Sequence, residues 1–197
     1  MNIAALASHE GTTLQAVLDA CAAGRITARV VLVISNNADS GALRRARAAG
    51  VTALHLSTAT HPEAQALDRA IRDALRESGA DLVLLAGYMK KLGPITLAAF
   101  QGHILNTHPA LLPKFGGQGM YGIHVHRAVL AAGEHSSGAS VHLVDAGYDS
   151  GPVLAQATVQ VVPEDTPATL AARVQQAERA LLVQTLGDIA SGRRPLA

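Results

Sequence analysis

The sequence predicts an α/β fold, a mostly parallel sheet flanked by helices. Two observations predict it. Apolar runs of strand length at Ile3–Ala7, Val30–Ile34, Val51–Leu56 and Leu82–Ala86 are separated by stretches whose apolar residues recur at helical spacing, the rhythm of βαβ units. In the C-terminal half, Ser140–Val144 and Val153–Val162 alternate like the arms of an antiparallel pair. With right-handed crossovers, the first hundred residues become a Rossmann-like, mostly parallel sheet, joined by antiparallel strands further on.

The elements follow in order. Ile3–Ala7 leads through Ser8-His9-Glu10-Gly11-Thr12-Thr13 into a helix with Leu14, Val17, Leu18 and Cys21 on one face. Gly11 permits close backbone approach, and the hydroxyls of Thr12 and Thr13 with the first helical N–H groups make a phosphate cradle conceivable; the alternative is a plain N-cap at Thr12 or Thr13. Val30–Ile34 is the second strand, and Arg44, Arg45 and Arg47 on the next helix read as a solvated face. Val51–Leu56 precedes a helix started by Pro62, with Leu67, Ile71 and Leu75 on one side. Leu82–Ala86 ends in the loop Gly87–Pro94 at the carboxyl edge of the sheet, where open α/β sheets bind ligands. Lys114–Gly122 holds four glycines in nine residues, which marks a mobile or close-packed loop before a helix to Ala132. The last helix, from about Thr166, is expected to bury Leu170, Val174, Ala177 and Leu181.

At 197 residues, 49% hydrophobic and 16% charged, the chain has enough material for a full core, and no Pro/Gly/Ser linker divides it. One domain over 1–197 is expected, with a Rossmann-like nucleotide-binding half at 1–100 and a catalytic half at 101–197. A net charge of +1 without a basic run argues against nucleic acid or an anionic membrane as partner. The lone Cys21 excludes an internal disulfide and reads as a small core residue. Met1–Ala7 has no basic flank and meets Ser8-His9-Glu10 before a spanning length accumulates, so a cytoplasmic location is expected. A monomer and a homodimer are both compatible with this composition.

The chemistry concentrates in Ile104–Pro113, where Asn106 and His108 interrupt apolar residues and Pro109 ends the strand by lacking an N–H. A polar pair at a strand's carboxyl end could stabilise an oxyanion and move a proton. A carboxylate from the Asp145–Asp149 loop would favour the imidazolium and raise the pKa of His108. An amide beside an imidazolium needs no protein nucleophile if the substrate brings its own amine. The rival use of the histidines is a metal site built from His124 and His126 with His103 or His142. Neither a His-Glu-x-x-His pattern nor paired cysteines support it, and no metal is expected. His142 lies on the inward side of its strand and fits a core histidine as well as a site residue.

Leu105-Asn106-Thr107-His108-Pro109-Ala110-Leu111-Leu112-Pro113, Ala86-Gly87-Tyr88-Met89 and Tyr148-Asp149-Ser150-Gly151-Pro152 resemble the motifs of the folate-dependent formyltransferases, over essentially the whole chain. The short length and the N-terminal loop resemble the branch that formylates glycinamide ribonucleotide. The resemblance implies the formyltransferase fold and transfer of the formyl group of 10-formyltetrahydrofolate, as co-substrate, to the amine of glycinamide ribonucleotide in de novo purine synthesis. It implies His108 as general acid, Asn106 on the formyl oxygen, and Asp149 raising the pKa of His108 and managing protons through water. Gly11, Thr12, Thr13 and Glu178 would hold the ribonucleotide, Glu178 from the last helix toward the ribose. Met89, Lys90, Lys91 and Leu92, with Asn106 and with Asp145, Ala146, Gly147, Tyr148 and Asp149, would line the folate pocket, largely through backbone groups.

The chain departs from the family pattern in the first loop, where His9 replaces a glycine, Glu10 follows it and Thr13 replaces an asparagine. A carboxylate beside a phosphate is unfavourable unless it points away. Ala64 replaces an expected basic residue, and Lys90 stands where arginine is frequent. Two other functions therefore stay in view: a folate-dependent formyltransferase or formyl-folate hydrolase with another acceptor, and a non-catalytic protein that binds a phosphorylated metabolite.

Overall fold

The computed structural model describes residues 1–196. In chain order the elements are β1 (Asn2–Leu6), α1 (Thr12–Ala22), β2 (Arg29–Ser35), α2 (Gly41–Ala48), β3 (Thr52–His55), α3 (Ala64–Glu77), β4 (Leu82–Leu85), α4 (Pro94–Ala99), β5 (Ile104–His108), α5 (Ile123–Ala131), β6 (Ser136–Leu143), β7 (Val153–Gln160) and α6 (Pro167–Ala190). The strands form one seven-stranded sheet in the order β3-β2-β1-β4-β5-β6-β7. The β1–β2, β1–β4, β2–β3 and β4–β5 pairs are parallel, and β6–β7 is antiparallel. This is the α/β class expected from the alternation of strand and helix patterns.

Central position explains composition. β4 reads Leu-Val-Leu-Leu and is buried throughout, as a parallel strand covered on both faces must be. β3, at the edge, is half-exposed and short. Among the described residues no helix is long and apolar enough to cross a membrane.

The chain forms two compact units. The first is Met1–Asn106 with the chain from Leu186 on; the second is Thr107–Thr185. In the first, Gly11 occupies the left-handed region at φ 71 and is itself the N-cap of α1, so Thr12 and Thr13 lie in the first helical turn instead of capping it. A Cβ at Gly11 would lie 2.8 Å from Ala42 Cα, so α1 and α2 meet there at backbone distance. Cys21 is half-buried rather than a core residue. α3 begins at Ala64, two residues past Pro62. Its buried Asp68 accepts hydrogen bonds from Ile95 N, Thr96 N and Thr96 Oγ1 at 2.8, 3.0 and 2.6 Å and so caps α4.

In the second unit, β6 starts four residues earlier than its apolar pattern suggests. Ser136, Ser137 and Gly138 pair with Gln160, Val159 and Thr158, and their small size hides the strand from a hydrophobicity reading. Gly138 is required there, because a Cβ would stand 2.1 Å from Ala157 O. β7 stops at Gln160 rather than Val162, since Val162 N donates to Asp165 Oδ2 at 2.9 Å in the turn before α6.

Candidate active site

β5 ends at His108, where Pro109 withholds an N–H. Side chains two apart on a strand share a face, so Asn106 and His108 point the same way. β6 brings in His142. The connection to β7 brings in Asp149 through a tight turn in which Asp145 Oδ1 accepts from Gly147 N at 2.9 Å and from Ser150 Oγ at 2.7 Å. Asp149 itself takes the left-handed conformation, φ 53.

His108, His142 and Asp149 converge in the second unit. His108 Nδ1 lies 3.4 Å from Asp149 Oδ2, and His142 Nε2 lies 3.5 Å from Asp149 Oδ1. Gly117 N donates to Asp149 Oδ2 at 3.0 Å. The other nitrogen of His108, Nε2, donates to Phe115 O at 2.7 Å, and His142 Nδ1 donates to Leu143 O at 2.8 Å. A carbonyl only accepts, so Phe115 fixes the Nε2–H of His108 and a second proton on Nδ1 would face Asp149. Both histidines are buried, at 3% and 2% exposure.

The electrostatics correct one expectation. Burial pushes the His108 pKa down; Asp149 and the Phe115 carbonyl push it back up, and His142 pushes it down again, leaving it below the usual histidine value. Asp149 thus acts in the expected direction, but desolvation is stronger in this state. Burial also pushes the Asp149 carboxyl up, yet the hydrogen bond of His142, the charge of His108, the Gly117 N–H and the charge of His142 together hold it below the ordinary carboxylate value. It stays ionised.

Glu178, on α6, accepts a hydrogen bond from Thr107 Oγ1 at 2.7 Å, also within the second unit. Ala146, Gly147 and Tyr148 are exposed in the Asp145-centred turn. In the first unit, Ser8 Oγ accepts from Met89 N at 2.7 Å and donates to Asn36 Oδ1 at 2.6 Å, tying together the carboxyl ends of β1, β2 and β4. Lys90 and Lys91 are exposed, whereas Leu92 is buried. Thr12 is exposed and Thr13 half-exposed.

Of the three arginines read as a solvated face, Arg44 and Arg47 are exposed, whereas half-buried Arg45 holds the loop before α1. Arg44 lies 3.7 Å from Glu10 Oε2, and Arg45 donates to Glu10 O at 2.8 Å and to Gln15 Oε1 at 3.0 Å. Glu10 therefore turns its charge toward α2, and a Cβ at Gly41 would meet its Oε2 at 2.6 Å. Among the described residues no cluster of three or more His, Cys, Asp or Glu is arranged to hold a metal ion. Instead His142 joins Asp149, and His126 is buried on α5 with Nδ1 unpartnered.

Sequence reasoning missed the Phe115 carbonyl, the Gly117 N–H and the Thr107–Glu178 bond. The first two are backbone groups, which no residue type announces. The third joins residues 71 apart.

A buried imidazole held between a carboxylate and a carbonyl, at the end of the strand that carries Asn106, has the groups of an enzyme that moves a proton at its substrate. Comparison with known proteins narrows the class. The formyl transferase family profile matches residues 1–186. A chloroplastic phosphoribosylglycinamide formyltransferase of Arabidopsis thaliana is 41% identical over 97% of the chain, which spans 66% of that relative's length. The phosphoribosylglycinamide formyltransferase of Mycobacterium tuberculosis is 44% identical over 94% of the chain and 83% of its own. The crystal structure of glycinamide ribonucleotide transformylase 1 from Symbiobacterium toebii superposes with a TM-score of 0.92 at 42% identity, covering 100% of this chain and 91% of that one. The chain belongs to the formyl transferase family.

Proposed function

We propose that this formyltransferase moves the formyl group of 10-formyltetrahydrofolate to the amine of glycinamide ribonucleotide, a step of de novo purine synthesis. The observation that carries the reading is the Asp149 carboxylate facing His108 Nδ1 at 3.4 Å, on the strand that bears Asn106. The names of the relatives supply the acceptor.

In this reading the substrate amine attacks the formyl carbon, and the carbonyl oxygen becomes an oxyanion. The Asn106 amide and protonated His108 stabilise that charge, and His108 supplies a proton. Asp149 keeps the imidazolium accessible against the cost of burial and takes up, through water, the proton the amine loses. The C–N bond to the folate nitrogen then breaks and that nitrogen leaves protonated. For Nε2 to serve the intermediate, the Phe115 carbonyl must give up its hydrogen bond to the substrate oxygen.

The remaining assignments follow the motif match. Gly11, Thr12 and Thr13 take the phosphate and Glu178 the ribose, while Met89–Leu92 and Asp145–Asp149 line the folate pocket. The turning of Glu10 onto Arg44 supports the phosphate assignment, since it removes a carboxylate from competition with an anion. No metal enters the reaction, and the nucleophile is the substrate's.

The test is formyl transfer by purified protein in metal-free buffer, with donor alone and with donor plus glycinamide ribonucleotide. Formylated acceptor forming at the rate of donor loss supports the reading. Equal donor loss without acceptor identifies a hydrolase, and thermal stabilisation by the nucleotide without turnover identifies a binding protein.

A further inference from the structure

We infer that Thr107 is a positioning residue for the acceptor: its hydroxyl holds the Glu178 carboxylate in place to receive the ribose hydroxyls. The inference rests on the proposed role of Glu178 and adds to it the residue that sets its geometry. Thr107 Oγ1 donates to Glu178 Oε1 at 2.7 Å, within the range of a charge-assisted O–H···O bond. Both side chains are half-buried, so solvent screens the bond only in part.

Three features make this bond suited to positioning. Thr107 lies on β5 between Asn106 and His108, and because strand side chains alternate, its hydroxyl leaves the face opposite to theirs. One strand end therefore carries the groups proposed for the reacting carbonyl on one face and the anchor of the ribose contact on the other. The acceptor is registered against the acid through a single rigid element. A β-branched side chain is stiff at χ1, so the hydroxyl direction is set by the strand. A glutamate on a helix surface otherwise loses considerable rotamer entropy when a ligand fixes it, and a standing bond lowers that cost.

The experiment is steady-state kinetics of the full chain with glycinamide ribonucleotide and 10-formyltetrahydrofolate, for Thr107→Val, Thr107→Ser, Glu178→Gln and the Thr107→Val/Glu178→Gln double variant. Valine keeps the shape and strand preference of threonine without the hydroxyl. Thr107→Val is expected to raise the acceptor KM about tenfold while kcat and donor KM stay within about twofold, the signature of lost uniform binding. Thr107→Ser should stay near wild type, and the double variant should be no worse than Glu178→Gln alone, because the hydroxyl acts through that carboxylate. An unchanged acceptor KM in Thr107→Val, with Glu178→Gln impaired, overturns the inference and leaves the Glu178 assignment standing. Serine failing as badly as valine also overturns it. An acceptor KM unmoved by Glu178→Gln removes the Glu178 assignment and this inference together.

Discussion

His108 and Asp149 stand 3.4 Å apart, Nδ1 to Oδ2, while the second carboxylate oxygen faces His142 at 3.5 Å. One carboxylate thus serves two buried imidazoles, and the ionised state of Asp149 is favoured by both. The same carboxylate is the main group resisting the loss of the His108 proton on burial. In the proposed reaction, the acid role of His108 depends on it.

Removing that charge should be visible without turnover. In Asp149→Asn the pKa of His108, followed by NMR of labelled imidazole, is expected to fall further below the usual histidine range, because desolvation remains and the largest opposing influence is gone. A rise or no change would show that Asp149 does not govern the ring.

Acidification should destabilise the fold. His108 and His126 have folded pKa values below their ordinary value, so in the window beneath about 6.5 the unfolded chain binds more protons than the folded one. Stability is then fully present above that value and lost as pH falls through the folded pKa values. Asp149, also lowered, extends the loss below its usual carboxylate value of 3.8. Urea unfolding midpoints at neutral pH and near pH 5 check the sign; a higher midpoint at the lower pH would contradict it.

Gly11→Ala is expected to cost about 1–2 kcal/mol for the left-handed backbone alone, before the clash with Ala42 is counted. The start of α1 must shift, so acceptor affinity should fall as well. Denaturant titration and the acceptor KM measure the two effects; an unchanged midpoint would mean that the turn adapts at no cost.

Asp68→Ala should lower stability by about 1–3 kcal/mol, since it leaves the Ile95 and Thr96 N–H groups and the Thr96 hydroxyl without their buried acceptor. Loss in the urea midpoint with an unaltered slope is the expected outcome. An unchanged midpoint would show that the helix end finds another acceptor.

The sheet was legible because its parallel strands are continuous apolar runs: Ile3–Leu6, Leu32–Ile34 and Leu82–Leu85 are buried through and through. The start of β6 was not legible, because Ser136–Gly138 enter the strand for want of bulk rather than through hydrophobicity. Within the site, Asn106, His108 and the acidic loop stood out as polar residues among apolar ones. The direction of the His108 shift did not, because it depends on how completely the ring is buried. The role of Arg45 was hidden for a related reason: a charge on a helix reads as solvated until a loop carbonyl is found against it.

The account is tested most directly by the turnover of Asp149→Asn in formyl transfer from 10-formyltetrahydrofolate to glycinamide ribonucleotide, with the fold checked by circular dichroism. If Asp149 sustains the acid, kcat falls about 10²- to 10⁴-fold while the protein stays folded. Turnover within a few-fold of wild type would contradict it.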